Sequence, residues 1–439
     1  NVKRRAETDD ESWAGELAWR QAGLEFVLDR ILAASIPDDA HESGSYAVDS
    51  TGVPSWARQT AKWKTKATAT DPDAAWRSHM STTAPYAKSE GQKPNFGGKA
   101  WYGYNLHAFV RVPNMKVGRD GKCQYSDTPA YIERIDLTAA NTNEAHDAAE
   151  LLARLTAQAA ERDVSPADLV MDRAYSCGFE NFLKEARALG YAPHFDLRSD
   201  QRGVGNSVEG MVIVDGQPYS PSLPPALYDI PNPRIPGATK KELADWHQLH
   251  DQRRPYLIRI RTVNHATGTM DVSCAAARDF SAMRCSQKEQ SVFLPATIPT
   301  APPIQSPNLP PKICVQQKVR VNGDDLPLWQ PYQYGTSAWW RSMSRRARVE
   351  GAFGRLKNDA TQNMTRGRIR VMGLAKTSIM AAFLAAAANL ASTERLTAAK
   401  SAASRSPDPV RKRGPRARTT RLAEHRTQVE QRRAKKASL

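Results

Sequence analysis

Long apolar runs are missing from this 439-residue chain. The longest, residues 379–390, is half alanine and spans only about a dozen residues, short of the roughly 20 a membrane-crossing helix needs. Cysteine is scarce as well. Cys123, Cys177, Cys274, Cys285 and Cys314 are odd in number and widely spaced, which argues against a secreted disulfide framework. No signal-peptide pattern opens the chain, so the cytoplasm is the expected compartment and no membrane partner is expected. Acid is in short supply too, with 46 Asp and Glu against 62 Lys and Arg, a formal net charge of +16 and a pI near 9.7. That excess points to a polyanion, most simply nucleic acid. The plainer reading is a solvated basic surface, and part of the excess does sit near the C-terminus.

In chain order, residues 11–35 have helical spacing, with Trp13, Leu17, Ala18, Ala22, Leu24, Val27, Leu28 and Leu32 expected on one face. A short strand over Tyr46, Ala47 and Val48 follows, ended by Ser50-Thr51-Gly52, so that Asp49 sits at its tip. Residues 54–100 are polar, with Trp56, Trp63 and Trp76 among cations; they suit a nucleic-acid groove or pins on a core equally well. Residues 101–112 and 131–137 look like two strands joined by a long polar loop. A helix over 144–162, a buried strand over 169–171 ending at Asp172, a helix over 179–189 and a strand over 193–197 complete a first α/β block. Prolines then crowd in, and 256–263 and 314–321 alternate like strands beside one helix at 239–252. Helix returns from 337 past 357 and again over 374–390. The expected divisions are a helical segment 1–40, core 41–198, a β-rich insertion 199–335, core helices 336–397 and a basic, disordered tail 398–439.

The most informative segment runs Arg345-Arg346-Ala347-Arg348-Val349-Glu350 and on to Lys357. At about 100° per residue, Arg346, Glu350 and Lys357 fall within roughly 40° of one another. Val349, Phe353 and Leu356 form the neighbouring apolar stripe. An i, i+4 Arg–Glu pair on a solvated face is common. A carboxylate set beside a buried stripe, however, asks for a positive charge, and a divalent ion would meet that need.

With these residues the chain resembles bacterial insertion-sequence transposases that have an RNase H-like DDE core and a third motif Tyr-x2-Arg-x3-Glu-x6-Lys. Arg346, Glu350 and Lys357 match that spacing, while Met343 stands at the Tyr position. Residues 47–52 resemble the first-Asp motif and 170–175 the second. The resemblance covers about residues 40–395 and implies an α/β, RNase H-like mixed sheet flanked by helices, with a β-rich insertion between second Asp and Glu. It implies that Asp49, Asp172 and Glu350 are catalytic and hold two Mg²⁺ ions (Mn²⁺ also serving) about 4 Å apart, Asp49 bridging them. Arg346, Lys357, Arg345 and Arg348 are the expected DNA contacts. The expected partners are the element's terminal inverted repeats, target DNA and a second copy in a synaptic homodimer. The Tyr contacts DNA phosphate in that family, so this contact is absent here or made by another residue. No helix-turn-helix is readable, which leaves open a repeat-reading domain ahead of Asn1. The rivals are a nuclease of the same fold without strand transfer, and an inactive DNA-binding derivative, against which the intact triad argues.

Weaker signals remain. Cys274, Cys285 and Cys314 near His265 could bind zinc, but without a Cys-x2-Cys pair buried free thiols are the better reading. His247 and His250 are read as a wet helix face, and His107 as a hydrogen-bonded strand residue. Tyr175 is assigned to packing beneath the second Asp. Trp329, Tyr332, Tyr334, Trp339 and Trp340 could stack on an unpaired base, with packing of the insertion as the leading use.

Overall fold

The computed structural model describes residues 11–40, 43–58, 70–78, 100–118, 122–176, 180, 182–233, 237–277, 282–304, 310–358 and 360–405. Trp63, Cys177 and most of the expected tail lie outside them. Contacts divide the chain into a unit spanning Asn1–Thr393 and one spanning Glu394–Leu439. The described part of the second is the end of a long helix.

The first unit is mixed α/β. Its main sheet is built on β1 (Tyr46–Pro54), which pairs antiparallel along its whole length with β3 (Ala100–Arg111). On its other side β1 runs parallel to β7 (Asp168–Met171), and β7 parallel to β8 (Ala192–His194). The far edge of β3 carries β2 (Ala75–Ser78) at one end and β6 (Ile132–Ala139) along the rest. A small hairpin, β4 (Met115–Val117) and β5 (Cys123–Tyr125), interrupts the polar loop between β3 and β6.

Alternation along β1 sorts its side chains between two cores. Tyr46 and Val48 join Phe109, Leu169 and Met171 under α2 (Glu144–Glu161), which contributes Leu151, Leu152 and Leu155. Ala47 and Val53 face the opposite way, with Val110 and Val170. That side is covered by α1 (Glu11–Ala33), α6 (Ala347–Lys357) and α7 (Leu374–Arg405). Leu374–Ser401 is long and apolar enough by composition to cross a membrane. Here Ala381, Ala382 and Ala385 are buried against the sheet, and the Asn389 amide brackets the Ile132 backbone at 2.8 and 3.0 Å, as in a core helix.

The insertion has its own core. A hairpin of β9 (Val212–Val214) and β10 (Gln217–Tyr219) stands beside an antiparallel sheet in the order β11 (Arg259–Asn264), β12 (Thr269–Ser273), β13 (Val319–Asn322). Met211, Val272, Cys274, Cys285, Cys314 and Val319 pack between them. Helix α4 (Lys240–Asp251) opens with a capping box between Thr239 and Glu242.

Several elements differ from the sequence reading. Strand β1 continues five residues past Asp49, because β3 offers a ladder partner for each of them. On α1 the buried face is Leu28 and Leu32, with Leu24 and Ile31 half-buried, while Leu17 and Val27 are exposed. The helix expected to run unbroken from 337 past 357 is α5 (Ser337–Met343), a 3-10 turn over Ser344–Arg346, then α6. The tail expected to be disordered from 398 is helical to Arg405.

Candidate active site

Asp49 and Asp172 are brought together by sheet register. The parallel pairing of β1 and β7 ends with Val48 opposite Met171, so the next residue on each strand is an aspartate, on strands about 4.8 Å apart. Each uses one oxygen on the backbone N–H that follows, Asp49 Oδ1 from Ser50 at 2.8 Å and Asp172 Oδ1 from Arg173 at 2.7 Å. The other oxygen of each turns to one guanidinium. Arg346 Nη1 lies 3.1 Å from Asp49 Oδ2 and 3.9 Å from Asp172 Oδ2, and Nη2 donates to Glu350 Oε1 at 2.5 Å. Two oxygens sharing one nitrogen at those distances are within roughly 7 Å of each other, and the planar fork keeps the third acid at a similar remove. Three acids 123 to 301 positions apart thus surround a single cation.

The local folding explains the placement. Val349, Ala352, Phe353 and Leu356 seat α6 on the sheet, which leaves Glu350 on its outer flank. The 3-10 turn just before α6 aims the two neighbouring arginines differently. Arg346 points at the acids, whereas Arg345 is buried and donates to Asp168 Oδ2 at 2.7 Å, Pro113 O at 3.0 Å and Ser342. The expected DNA contact of Arg345 is therefore corrected: its donors are spent inside the protein. Asp168 also meets the buried His194 ring at 3.1 Å, which sits 3.0 Å from Ser342 Oγ. Burial works to raise the Asp168 pKa, but His194 and Arg345 prevail and bring it to about 2. Arg348 is exposed. Lys357 reaches back to the Thr51 hydroxyl on β1, two residues beyond Asp49, and its half-buried position lowers its pKa.

Burial pushes Asp49 up to about 6, against the Ser50 N–H and Arg346, and the charges of Asp172 and Glu144 add to the rise. Glu144, at the start of α2 and paired with Arg77 at 2.5 Å, is a nearby acid that the sequence reading missed; a first-turn glutamate on a helix carries no distinguishing signal. Tyr175 is fully buried against Phe182, with its phenol pushed well above the ordinary value by burial and by the adjoining acids, so it stays protonated. Beside the acids opens a cleft of about 500 Å³, lined by Asp172, Arg173, Arg346, Met343, Trp339 and Trp340. A larger cleft of about 600 Å³ lies elsewhere, where α3 (Leu183–Ala188) faces the β11–β12 turn, and holds none of the three acids.

No family model, curated protein or solved structure matches this chain.

Among the described residues no three His, Cys, Asp or Glu side chains stand close enough to cage one ion as they lie, since here the carboxylates are spread around a guanidinium. Their donor set nevertheless fits Mg²⁺: oxygen only, anionic, one member desolvated, and already convergent on a positive charge. Other groups fall elsewhere. Cys274, Cys285 and Cys314 are free thiols in the insertion core, where burial lifts Cys314 to about 12, and His265 Nδ1 is instead 2.7 Å from the Arg187 carbonyl. His250 is no wet face: it is buried beside Trp246, and burial lowers it to about 3. His247 pairs with the Gly335 carbonyl, and His107 with Thr138 at 3.1 Å. Tyr334 and Trp339 are buried and meet Trp246 of the insertion edge to face, which joins insertion to core.

Proposed function

We propose that the chain is a DDE-type DNA transposase, which cleaves phosphodiester bonds at the ends of its element and joins the 3′-OH ends to target DNA. The observation that carries this reading is the gathering of Asp49, Asp172 and Glu350 around Arg346. The sheet order, with β1 central, antiparallel to β3 and parallel to β7, supports an RNase H-like core. So does the position of a β-rich insertion between Asp172 and Glu350.

Asp49, Asp172 and Glu350 would hold a pair of Mg²⁺ ions, which supply Lewis-acid activation of water and of the scissile phosphate. The rest falls to the chain's own groups. Register fixes the two aspartates relative to each other, so their spacing does not depend on flexible loops. Arg346 offsets part of the acids' charge in the free protein and is placed to turn its fork to a phosphate once other cations meet that charge. Lys357, held by Thr51, adds a donor farther along β1. The joining step reuses the same carboxylates, with the freed 3′-OH as nucleophile. A homodimer that pairs two ends is part of the proposal.

Asp49→Asn, Asp172→Asn and Glu350→Gln should each abolish cleavage of end-containing duplexes yet retain salt-sensitive DNA binding. Full cleavage by any of them would refute the assignment. Labelled ends that are cut but never appear in target DNA would favour the nuclease rival instead.

A further inference from the structure

Just past β1 the chain carries an arrangement that the carboxylate chemistry does not use. Trp56 is partly exposed at 39%, and two guanidinium groups lie over its ring, Arg366 at 5.8 Å and Arg370 at 5.5 Å from the centroid. Arg366 also donates to the Ser55 and Ala57 carbonyls at 3.1 Å each, which ties its loop to the end of β1. Among the described residues Arg370 donates only through Nε, to Gly367 O at 3.1 Å. Arg366, Arg368 and Arg370 are all exposed, while Met364 and Ile369 anchor the loop in the core. Among the described residues none of these arginines is ion-paired. An arginine stacked on an indole keeps its outward N–H edge free and loses little further rotamer freedom on binding, as suits phosphate recognition.

We propose that Trp56 and the loop arginines Arg366, Arg368 and Arg370 form a platform for the backbone of duplex DNA, set apart from the cleavage site. Trp56 lies seven positions beyond Asp49, about 20 Å along β1 and the short link that follows it. At 3.4 Å per base along one strand, that places the platform roughly six base pairs from the bond to be cut. The grip is independent of sequence, since it takes phosphates and not base edges. It rests on the DNA reading above, and the test separates the two.

Duplex binding by the full chain carrying Asp49→Asn is measured by anisotropy against salt, with duplexes extended to different lengths on either side of the cleavage point. Arg368→Gln combined with Arg370→Gln should weaken binding about tenfold or more near 0.1 M salt and lower the slope of log K against log salt by about 2. The loss should disappear once the duplex on one side is shorter than about six base pairs. Trp56→Leu, which removes the ring and no charge, should weaken binding a few-fold at unchanged slope. Circular dichroism and melting temperature confirm that the variants fold. If the parent binds duplex and the double variant matches it in affinity and slope, or loses equally on short duplexes, the platform is refuted and the transposase reading stands. If the parent binds no duplex at any salt, both fall.

Discussion

Replacing Asp49 with Asn should make the protein more stable while it removes activity. Asp49 is lifted from 3.8 to about 6, chiefly by burial. Each pKa unit is worth 1.36 kcal/mol, so at neutral pH the charged carboxylate costs the fold about 3 kcal/mol. Asparagine keeps an oxygen for the Ser50 N–H and drops the charge. The Arg346 attraction that it forfeits is already contained in that shift. A gain of about 3 kcal/mol results, or a rise of about 3 °C in melting temperature for a chain of 439 residues. The pH dependence has a definite sign. The folded-state pKa lies above the unfolded one, so from about pH 4 to about pH 6 the folded protein binds the extra proton and its stability falls as pH rises. The advantage of Asp49→Asn should therefore widen between about pH 4 and about pH 6 and level off above that. Mg²⁺ should raise the melting temperature of the parent and leave that of the variant nearly unchanged. Scanning calorimetry of both proteins at several pH values decides it. A variant that melts at or below the parent at pH 7.5, or a difference that does not change with pH, would refute the reasoning.

Other outcomes follow from the same geometry. Arg345→Met strands Asp168 in a buried setting and should cost about 3–5 kcal/mol, read as a large drop in melting temperature; Arg348→Met, at an exposed position, should cost under about 0.5. Arg346→Gln should slow single-turnover cleavage at least a hundredfold with a small change in melting temperature, since its partners are partly solvated. At Gly335, with φ of +81° and the His250 ring 2.4 Å from where a Cβ would stand, alanine should destabilise the insertion–core junction by 2 kcal/mol or more, visible as faster proteolysis near 335. Alkylation of the native protein followed by peptide mapping should label Cys123 well before Cys274, Cys285 or Cys314.

Much of this site was legible in the sequence because its signals are local. Apolar residues at helical spacing told which flank of α6 Glu350 must occupy, and a short apolar run ending in Asp172 marked the end of β7. What stayed hidden depended on partners distant in the chain. Nothing near Asp49 says that β3 will extend β1 to Pro54, since the ladder partners are residues 49 to 57 positions on. Arg345 and Arg346 are chemically identical neighbours, and only a 3-10 turn sends one inward and the other to the acids. His250 looked solvated on its own helix and became buried when Trp246, Tyr334 and Gly335 closed over it.

The register of β1 and β7 bears on when the site comes into being during synthesis. Both strands are on hand once synthesis has passed Asp172, and domains condense from the N-terminus as the chain is made. The third acid and its arginine arrive only after the whole insertion, so a nascent or truncated product lacks the cation and carboxylate that complete the centre. The gathering of three carboxylates around Arg346 is thereby completed only after the insertion has been made.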